Sequence, residues 1–246
     1  MKSKRTSRGA IRLLWAIVPV IGLIAATDPA GSAPRKQMLF GSEEHRARSI
    51  HLFPKWTGIL RRYNAQRTRP RGTCRAGAAE CRVVEWRSAL DGLRGRSRRD
   101  QLRAVNRLVN RVRYAADDAN YRVADYWAAP GEFFAKGGDC EDYAIAKYLS
   151  LKALGFPPGA MRILVLHDER RRTPHAVLIV SSGGVSYVLD NTTDEIVDAS
   201  RIHHFRPIYS INEAFWWLHR RPAKDRDYSA IITAVSRQNK IRTTDR

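Results

Sequence analysis

Acidic residues are scarce in this sequence, and no hydrophobic run reaches the length of a membrane span. The chain has 44 lysines and arginines but only 24 aspartates and glutamates among 246 residues, so its formal net charge is +20. The arginines are scattered, without the interleaved aromatics or zinc-finger spacing typical of nucleic-acid-binding proteins. The charge therefore favours acidic proteins, cell-envelope polyanions or a weak association with anionic lipid surfaces over nucleic acid as partners.

The N-terminus has the layout of a secretory signal peptide. Basic residues precede an uncharged run at residues 13–26, and small residues follow it up to Ala33. The run is shorter than the roughly 20 residues that a membrane-spanning helix needs. Export with removal of residues 1–33 is therefore favoured over an uncleaved anchor. The rest divides into a flexible leading segment (34–48), a folded domain (49–221) and a polar basic tail (222–246).

Only three cysteines are present, and export affects how each is interpreted. Cys74 and Cys81 lie close together in a Gly/Ala-rich stretch and could close a small disulfide loop, although the sequence alone leaves this open. Two thiols without a nearby histidine disfavour a zinc site there. Cys140 is the third, and a lone thiol in an exported protein requires a reason. Its polar, acidic neighbours disfavour the alternative of a small buried hydrophobe.

The hydrophobic periodicity predicts helices first and an antiparallel sheet afterwards, so the fold class is α+β. The clearest helix of the first half spans residues 100–114, with an apolar stripe and solvent-facing arginines. A second helix is predicted over residues 139–154. The remaining predicted elements are strands at 161–167, 175–181 and 185–190, and a short aromatic-rich helix at 211–218 that covers the sheet.

The segment Gly-Gly-Asp-Cys-Glu-Asp at residues 137–142 is typical of a helix start that carries a nucleophile. Asp139 can serve as the N-cap, which places Cys140 in the first turn. The N–H groups and the helix dipole there would stabilise a thiolate and a developing oxyanion. Left unpaired, the carboxylates of Asp139, Glu141 and Asp142 would instead raise the pKa of the thiol, so a bound cation is expected to neutralise them.

His175 is the predicted proton acceptor, and Asp190 is its predicted orienting acid. If Ser182 and Gly183 are the central turn residues of the hairpin, the two side chains stand directly opposite each other. If the turn is Gly183 and Gly184, they are diagonal but still on one face. In the directly opposite arrangement the carboxylate can accept the imidazole N–H and fix its tautomer. Only a loop of odd length without a compensating bulge would separate the two side chains. The alternative is that Asp190 is only a turn residue at the strand end.

Asp117, Asp118 and Asn120 lie in a stretch that reads as a loop or turn, and two interpretations stay open. Asx residues of this kind are common in turns, where they bond their own backbone. Their oxygen atoms could also be additional ligands to a hard cation such as Ca²⁺.

Several long, ordered motifs resemble the bacterial transglutaminase-like cysteine proteinases, and among them the periplasmic adhesin proteases. The motifs are Gly-Gly-Asp-Cys-Glu-Asp-Tyr-Ala-Ile-Ala-Lys-Tyr from residue 137, His-Ala-Val-Leu from 175 and Val-Leu-Asp-Asn from 188. The likeness extends upstream to residues 53–56, the Cys74 and Cys81 pair, and residues 105–110 and 125–130. It covers nearly all of the chain after the leader, apart from the arginine-rich loop at 169–172 and the tail.

This resemblance implies a transglutaminase/papain-like α+β core with N-terminal helices packed on an antiparallel sheet. It implies Cys140 as the nucleophile, His175 as general base and acid, and Asp190 as the orienting residue. It also implies dependence on Ca²⁺ bound near the acidic residues that flank the nucleophile: Asp139, Glu141 and Asp142.

The resemblance further implies a periplasmic endopeptidase that cuts the N-terminal region of a large cell-surface adhesin at an Ala-Ala type site. Cleavage would release the adhesin and disperse biofilm. An inner-membrane cyclic-di-GMP receptor is the expected partner that sequesters the protease, and the chain itself is not expected to bind the nucleotide. Two other functions stay open: acyl transfer to an amine by the same three residues, and non-enzymatic binding to the envelope through the basic surface.

Overall fold

Helices from the first half of the chain cover one face of a sheet that is built mainly from the second half. The computed structural model describes residues 38–67 and 79–221. The predicted signal peptide, Cys74 and the C-terminal tail lie outside these residues. Among the helices of the described ranges, none has the length and apolar character that crossing a membrane requires.

The described residues form six α-helices, and the last of them is central to the fold. Residues 142–151 of this helix are all buried, which is expected of a helix packed on several sides. The predicted helices at 100–114 and 139–154 are both confirmed, with ends shifted by a few residues. The helices are α1 (Pro54–Arg67), α2 (Ala79–Asp91), α3 (Arg98–Asn110), α4 (Asp117–Tyr121), α5 (Pro130–Lys136) and α6 (Cys140–Ala153).

A seven-stranded sheet with only antiparallel pairs completes the fold. Its strands are β1 (Glu43–Ala47), β2 (Met161–Asp168), β3 (Thr173–Ser182), β4 (Val185–Leu189), β5 (Val197–Asp198), β6 (Phe205–Ile211) and β7 (Trp216–Arg220). Their spatial order is β1-β7-β6-β2-β3-β4-β5. Helix α6 packs against β3 and β2, and α3 packs against α6. The main core lies between these helices and the sheet, and a smaller apolar cluster covers the opposite sheet face.

Two elements at the edge of the sheet differ from the sequence prediction. The leading segment at 34–48, expected to be flexible, contains β1, which pairs with β7. The predicted helix at 211–218 is wrong, because this segment holds the end of β6, a turn and the start of β7. Oδ1 of Asn212 accepts the N–H groups of Ala214 and Phe215 and so forms that turn. Aromatic residues pack well in strands, and here they favour β7 over a helix.

The hairpin between β3 and β4 turns at Gly183 and Gly184. Both glycines have positive φ, at 59° and 77°, a region that favours glycine. Ser182 therefore pairs with Val185. The register with Ser182 and Gly183 at the turn is wrong, and the alternative diagonal arrangement of the predicted histidine and aspartate is the one found.

Candidate active site

Cys140 is the first residue of α6, and the two glycines before it create its backbone setting. Gly137 has a φ of 88°, and a Cβ at this position would lie 2.3 Å from the carbonyl oxygen of Arg113. A Cβ on Gly138 would lie 2.2 Å from Oδ2 of Asp142. Any larger residue at either position would force the turn to move, so the glycine pair fixes where the thiol stands.

The Cys140 thiol lies between an acidic side chain and strand β3. Its Sγ donates to Oε2 of Glu141 at 3.1 Å, and the backbone N–H of Ala176 hydrogen-bonds the sulfur from β3. Burial raises the pKa of the thiol well above its usual value, and the charges of Glu141 and Asp139 raise it further. The Ala176 N–H lowers that pKa, but it does not outweigh the acids. The thiolate therefore needs compensating positive charge nearby.

His175 precedes Ala176 on β3, so the strand that contacts the sulfur also carries the imidazole. Nε2 of His175 donates to Oδ1 of Asp190 at 3.0 Å, and both side chains are buried. Burial opposes ionisation of Asp190, but the hydrogen bond and charge of His175 outweigh it and hold the pKa of this carboxyl below its usual value. With the proton on Nε2, Nδ1 is the ring nitrogen of the neutral imidazole that can accept a proton.

Five carboxylates converge beside Cys140. Single oxygen atoms from Asp117, Asp139 and Asp142 lie within 4.8 Å of one another, and so do oxygen atoms from Asp117, Asp125 and Glu141. Four of the five have a buried oxygen without a hydrogen-bond partner in the described chain: Asp117 Oδ1, Asp125 Oδ1, Asp139 Oδ1 and Asp142 Oδ2. Buried polar atoms are normally satisfied, and oxygen ligands of this kind suit a hard cation such as Ca²⁺.

The pKa values of these carboxyl groups also indicate that the cluster lacks a neighbouring positive charge. Burial, together with the hydrogen bond to Glu141 and the charge of Glu141, raises the pKa of Asp139 to about 9. Burial likewise raises the pKa of Asp142 to about 8, although the Ala128 N–H opposes the shift. The pKa values of Glu141 and Asp117 are raised as well, again chiefly by burial. A bound cation would reverse these shifts, because it favours the ionised carboxylates.

The six residues that the sequence analysis considered as metal ligands do not all join this cluster. Asp117 does, although its segment forms helix α4 instead of the expected loop. Asp118 is exposed and accepts the N–H of Ala119, and the carboxylate groups found among the described residues do not include it. Nδ2 of Asn120 donates to the carbonyl of Gly137, and its role as a ligand stays a prediction. Asp139 is the N-cap residue as expected, but its side chain makes no capping hydrogen bond within the described residues.

Two residues near the site escaped the sequence analysis. Asp125 belongs to the carboxylate cluster and pairs with Lys55. Its sequence signals were its place after the acidic stretch that begins at Asp117 and its position at the start of the 125–130 motif, and neither marked it as a ligand. Lys147 in α6 is fully buried, and its Nζ has no hydrogen-bond partner among the described residues. Burial lowers its pKa to about 7, although the charges of Asp190 and Asp194 oppose the shift. Within an apolar helix pattern, nothing marked this lysine as part of the site.

The remaining cysteines fit the sequence expectation where the structure describes them. Cys81 is disulfide-bonded, and Cys140 is a free cysteine of the described chain. The expected partner, Cys74, lies outside the described residues.

Comparison with known proteins gives a family model and several solved structures. The model of the bacterial transglutaminase-like cysteine proteinases matches residues 69–218. A structure of Legionella pneumophila LapG is 28% identical, covers 75% of this chain and 97% of its own, and has a TM-score of 0.53. Its calcium-bound form is 27% identical over 74% and 98% of the two chains, with a TM-score of 0.54. An EGTA-treated form is 27% identical over 75% and 97%, with a TM-score of 0.53. No curated protein sequence matches the chain.

Proposed function

Because the chain belongs to the bacterial transglutaminase-like cysteine proteinases and is a cysteine protease, we propose that Cys140, His175 and Asp190 form its catalytic triad. The observation that carries this proposal is the contact between the start of α6, at Cys140, and strand β3, at Ala176. The sulfur of Cys140 accepts the N–H of Ala176, and the residue before Ala176 is the histidine that bonds Asp190 at 3.0 Å. These two contacts support a nucleophile, a base and an orienting acid that come together where α6 meets β3.

In the proposed reaction, Nδ1 of His175 takes the proton of Cys140, and the thiolate attacks the scissile carbonyl carbon. N–H groups at the start of α6 bind the resulting oxyanion. His175 then protonates the leaving amine as the C–N bond breaks, which leaves a thioester on Cys140. Water, deprotonated by His175, attacks the thioester and releases the acid and the free thiol. Asp190 holds the imidazole in one tautomer and stabilises its charged form throughout.

A calcium ion at the carboxylate cluster is part of the proposal. The residues that would hold it are Asp117, Asp125, Asp139, Glu141 and Asp142. Their unpartnered buried oxygens within the described residues and the existence of a calcium-bound form of LapG support this. When bound, the ion would supply positive charge that lowers the pKa of the neighbouring thiol.

We further propose that the enzyme acts in the periplasm on the N-terminal region of a large cell-surface adhesin, at an Ala-Ala type site. Release of the adhesin would promote biofilm dispersal, and an inner-membrane cyclic-di-GMP receptor would sequester the protease. This part rests on the family resemblance of the sequence. The net charge of +20 suits an acidic protein substrate.

The experiment combines residues 34–246 with the N-terminal segment of a large adhesin encoded nearby, in calcium or in EGTA, and measures fragment masses. Hydrolysis gives two fragments whose masses sum to that of the substrate plus one water, in calcium only. Cross-linked species would show acyl transfer to an amine instead. An unchanged substrate in calcium would contradict the proposed adhesin cleavage.

A further inference from the structure

The turn that follows β4 carries Asp190 and is tied to helix α3 by two asparagine side chains. Nδ2 of Asn110 donates to the carbonyl oxygens of Asp190 at 3.1 Å and of Thr193 at 2.9 Å. It also reaches Oδ1 of Asp194 at 3.2 Å. Nδ2 of Asn106 donates to the same Thr193 carbonyl at 2.8 Å. Two amides one helical turn apart therefore hold both ends of a four-residue segment.

The helix that carries these amides is itself held firmly. Leu102, Val105 and Val109 of α3 are fully buried, and α3 packs against α6, the helix that begins at Cys140. Helix α3 is thus fixed relative to the nucleophile. A group that is hydrogen-bonded to α3 therefore keeps a fixed position relative to the thiol.

The two asparagines use only the donor half of their amides in the described structure. Asn106 is fully buried, yet its Oδ1 and that of Asn110 have no hydrogen-bond partner among the described residues. An unsatisfied buried acceptor costs stability, and an apolar side chain of similar volume would avoid this cost. Holding the turn is therefore a better explanation of these amides than filling space.

The carboxylate of Asp190 depends directly on this turn. Its Oδ1 accepts the N–H of Thr192 at 2.9 Å as well as the imidazole N–H of His175. Both Thr192 and the Asp190 carbonyl lie within the segment that Asn110 holds. A shift of this segment would move the carboxylate away from the imidazole, since the Thr192 N–H would move with it.

We propose that Asn110, assisted by Asn106, is a positioning residue that fixes the Asp190 carboxylate against His175. It thereby sets how readily the imidazole takes the proton of Cys140. The expected effect is large for a residue that touches neither thiol nor imidazole, because groups that orient a reacting side chain commonly contribute on the order of 10- to 100-fold. The inference rests on the proposed triad, but it does not depend on the identity of the substrate.

The test measures alkylation of Cys140 by iodoacetamide in calcium, across pH, with mass spectrometry to confirm the modified residue. Asn110→Leu keeps the approximate side-chain volume and removes both donors. We expect its second-order rate at pH 7 to fall about tenfold, with the pH midpoint of the profile displaced from that of the wild type. An unchanged rate and midpoint in a folded Asn110→Leu protein would overturn the inference. If this variant does not fold, Asn110→Asp, which keeps the shape and also lacks both donors, carries the same expectation and the same refutation.

Asn212→Leu is the matched control. Asn212 lies in the turn between β6 and β7, and its amide also donates to a backbone carbonyl, that of Pro158 at 3.3 Å. We expect it to lower the thermal midpoint without changing the alkylation profile. Equal losses of alkylation rate in both variants would mean that Asn110 only supports the fold and does not position Asp190. His175→Ala in the same assay separates the two proposals: an unchanged rate there would contradict the triad itself, whereas a lowered rate with an unchanged Asn110→Leu would contradict only the positioning role.

Discussion

At the scale of single residues, the groups around Cys140 shift the pKa of its thiol and so determine how readily the thiolate forms. Burial and two nearby carboxylates, Glu141 and Asp139, raise its pKa, while the N–H of Ala176 lowers it. A protease of this family needs the thiolate for attack. In the proposed mechanism, an imidazolium and a bound cation would supply the positive charge that favours the thiolate, which would couple the His175–Asp190 pair to the carboxylate cluster.

Replacement of Asp190 tests the orienting acid. Asp190→Asn keeps the side-chain volume but removes the charge that stabilises the imidazolium. We expect kcat for peptide cleavage to fall by roughly 10²- to 10⁴-fold with little change in KM, measured by steady-state kinetics. Asp198→Asn changes a half-buried carboxylate that accepts the N–H and the hydroxyl of Ser200, and it should leave kcat unchanged. Equal kcat for Asp190→Asn and the wild type would remove Asp190 from the mechanism.

Calcium should stabilise the fold more at pH 8 than at pH 6. In the calcium-free protein the pKa values of Asp139 and Asp142 are about 9 and about 8, against about 3.9 for an unfolded aspartate. The folded state therefore holds protons that the unfolded state releases, so the free energy of unfolding falls as pH rises from about 4 to about 9. Calcium must displace those protons, and it meets fewer of them at pH 8.

Thermal unfolding in calcium and in EGTA at the two pH values checks this expectation. Asp125→Asn should reduce the calcium-induced rise in Tm, because Asp125 lies in the cluster. Asp118→Asn should leave that rise unchanged, since this exposed carboxylate accepts the N–H of Ala119 and belongs to none of the carboxylate groups found among the described residues. The same calcium effect at both pH values would argue against ionisation of the cluster on binding.

Among the elements, strand β7 is joined to its neighbours through one buried histidine. Nδ1 of His219 lies 2.8 Å from Oγ of Ser42, and Nε2 lies 2.9 Å from Oγ of Ser210 on β6. The Ser42 hydroxyl donates to the carbonyl of Leu39, so it accepts from Nδ1–H, and a ring without a second proton accepts from the Ser210 hydroxyl at Nε2. The ring is thus neutral, in agreement with burial and the charge of Arg162, which lower its pKa to about 3.

This histidine should make the fold sensitive to mild acid. Between about pH 6.5 and about pH 3 the unfolded chain binds a proton at His219 that the folded chain excludes, so its contribution to stability falls by up to about 1.4 kcal/mol per pH unit. Urea unfolding at pH 7 and pH 5 of the wild type and of His219→Gln measures this contribution as a difference. His45→Gln, at an exposed position of β1, should match the wild type. Equal pH dependence in wild type and His219→Gln would contradict a neutral buried ring.

The sequence predicted the existence of α6 and of the β3–β4 hairpin, because both carry strong local signals, but the first register given for the hairpin was one residue off. A glycine pair followed by Asp139 indicates a helix start, and Gly183 with Gly184 indicates a tight turn. Strands β1 and β7 were missed because the residues that pair are far apart in sequence. Glu43 of β1, for example, pairs with Arg220 of β7. Local pattern carries little information about such a partner.

The same distinction applies to the candidate site. Cys140, His175 and Asp190 were accessible from motif and register, whereas Asp125 and Asn110 act through contacts with residues distant in sequence. Asp118 has the right chemistry for a cation but accepts the N–H of the next residue, Ala119, instead. Chemical type alone therefore could not separate ligands from turn residues in this stretch.

Across the whole molecule, the strong basic charge should act on association more than on chemistry. With a formal charge of +20, an acidic substrate is attracted over several ångströms, and salt screens that attraction. For an acidic adhesin segment we expect KM to rise severalfold from about 50 to about 300 mM salt with kcat nearly constant. A neutral peptide with the same cleavage site is the control and should show no such rise. A KM for the acidic segment that does not change with salt would show that electrostatic attraction plays no part in substrate recognition.

The central claim is that Cys140 forms a covalent acyl-enzyme, and intact-protein mass spectrometry of an acid-quenched reaction tests it most directly. The predicted result is a protein species heavier by the N-terminal product minus one water, with the adduct on Cys140 and no adduct in Cys140→Ala. That variant should also lose cleavage while it keeps its fold, because alanine is tolerated in the first turn of a helix. Cleavage that persists in Cys140→Ala, or an adduct on another residue, would contradict the account.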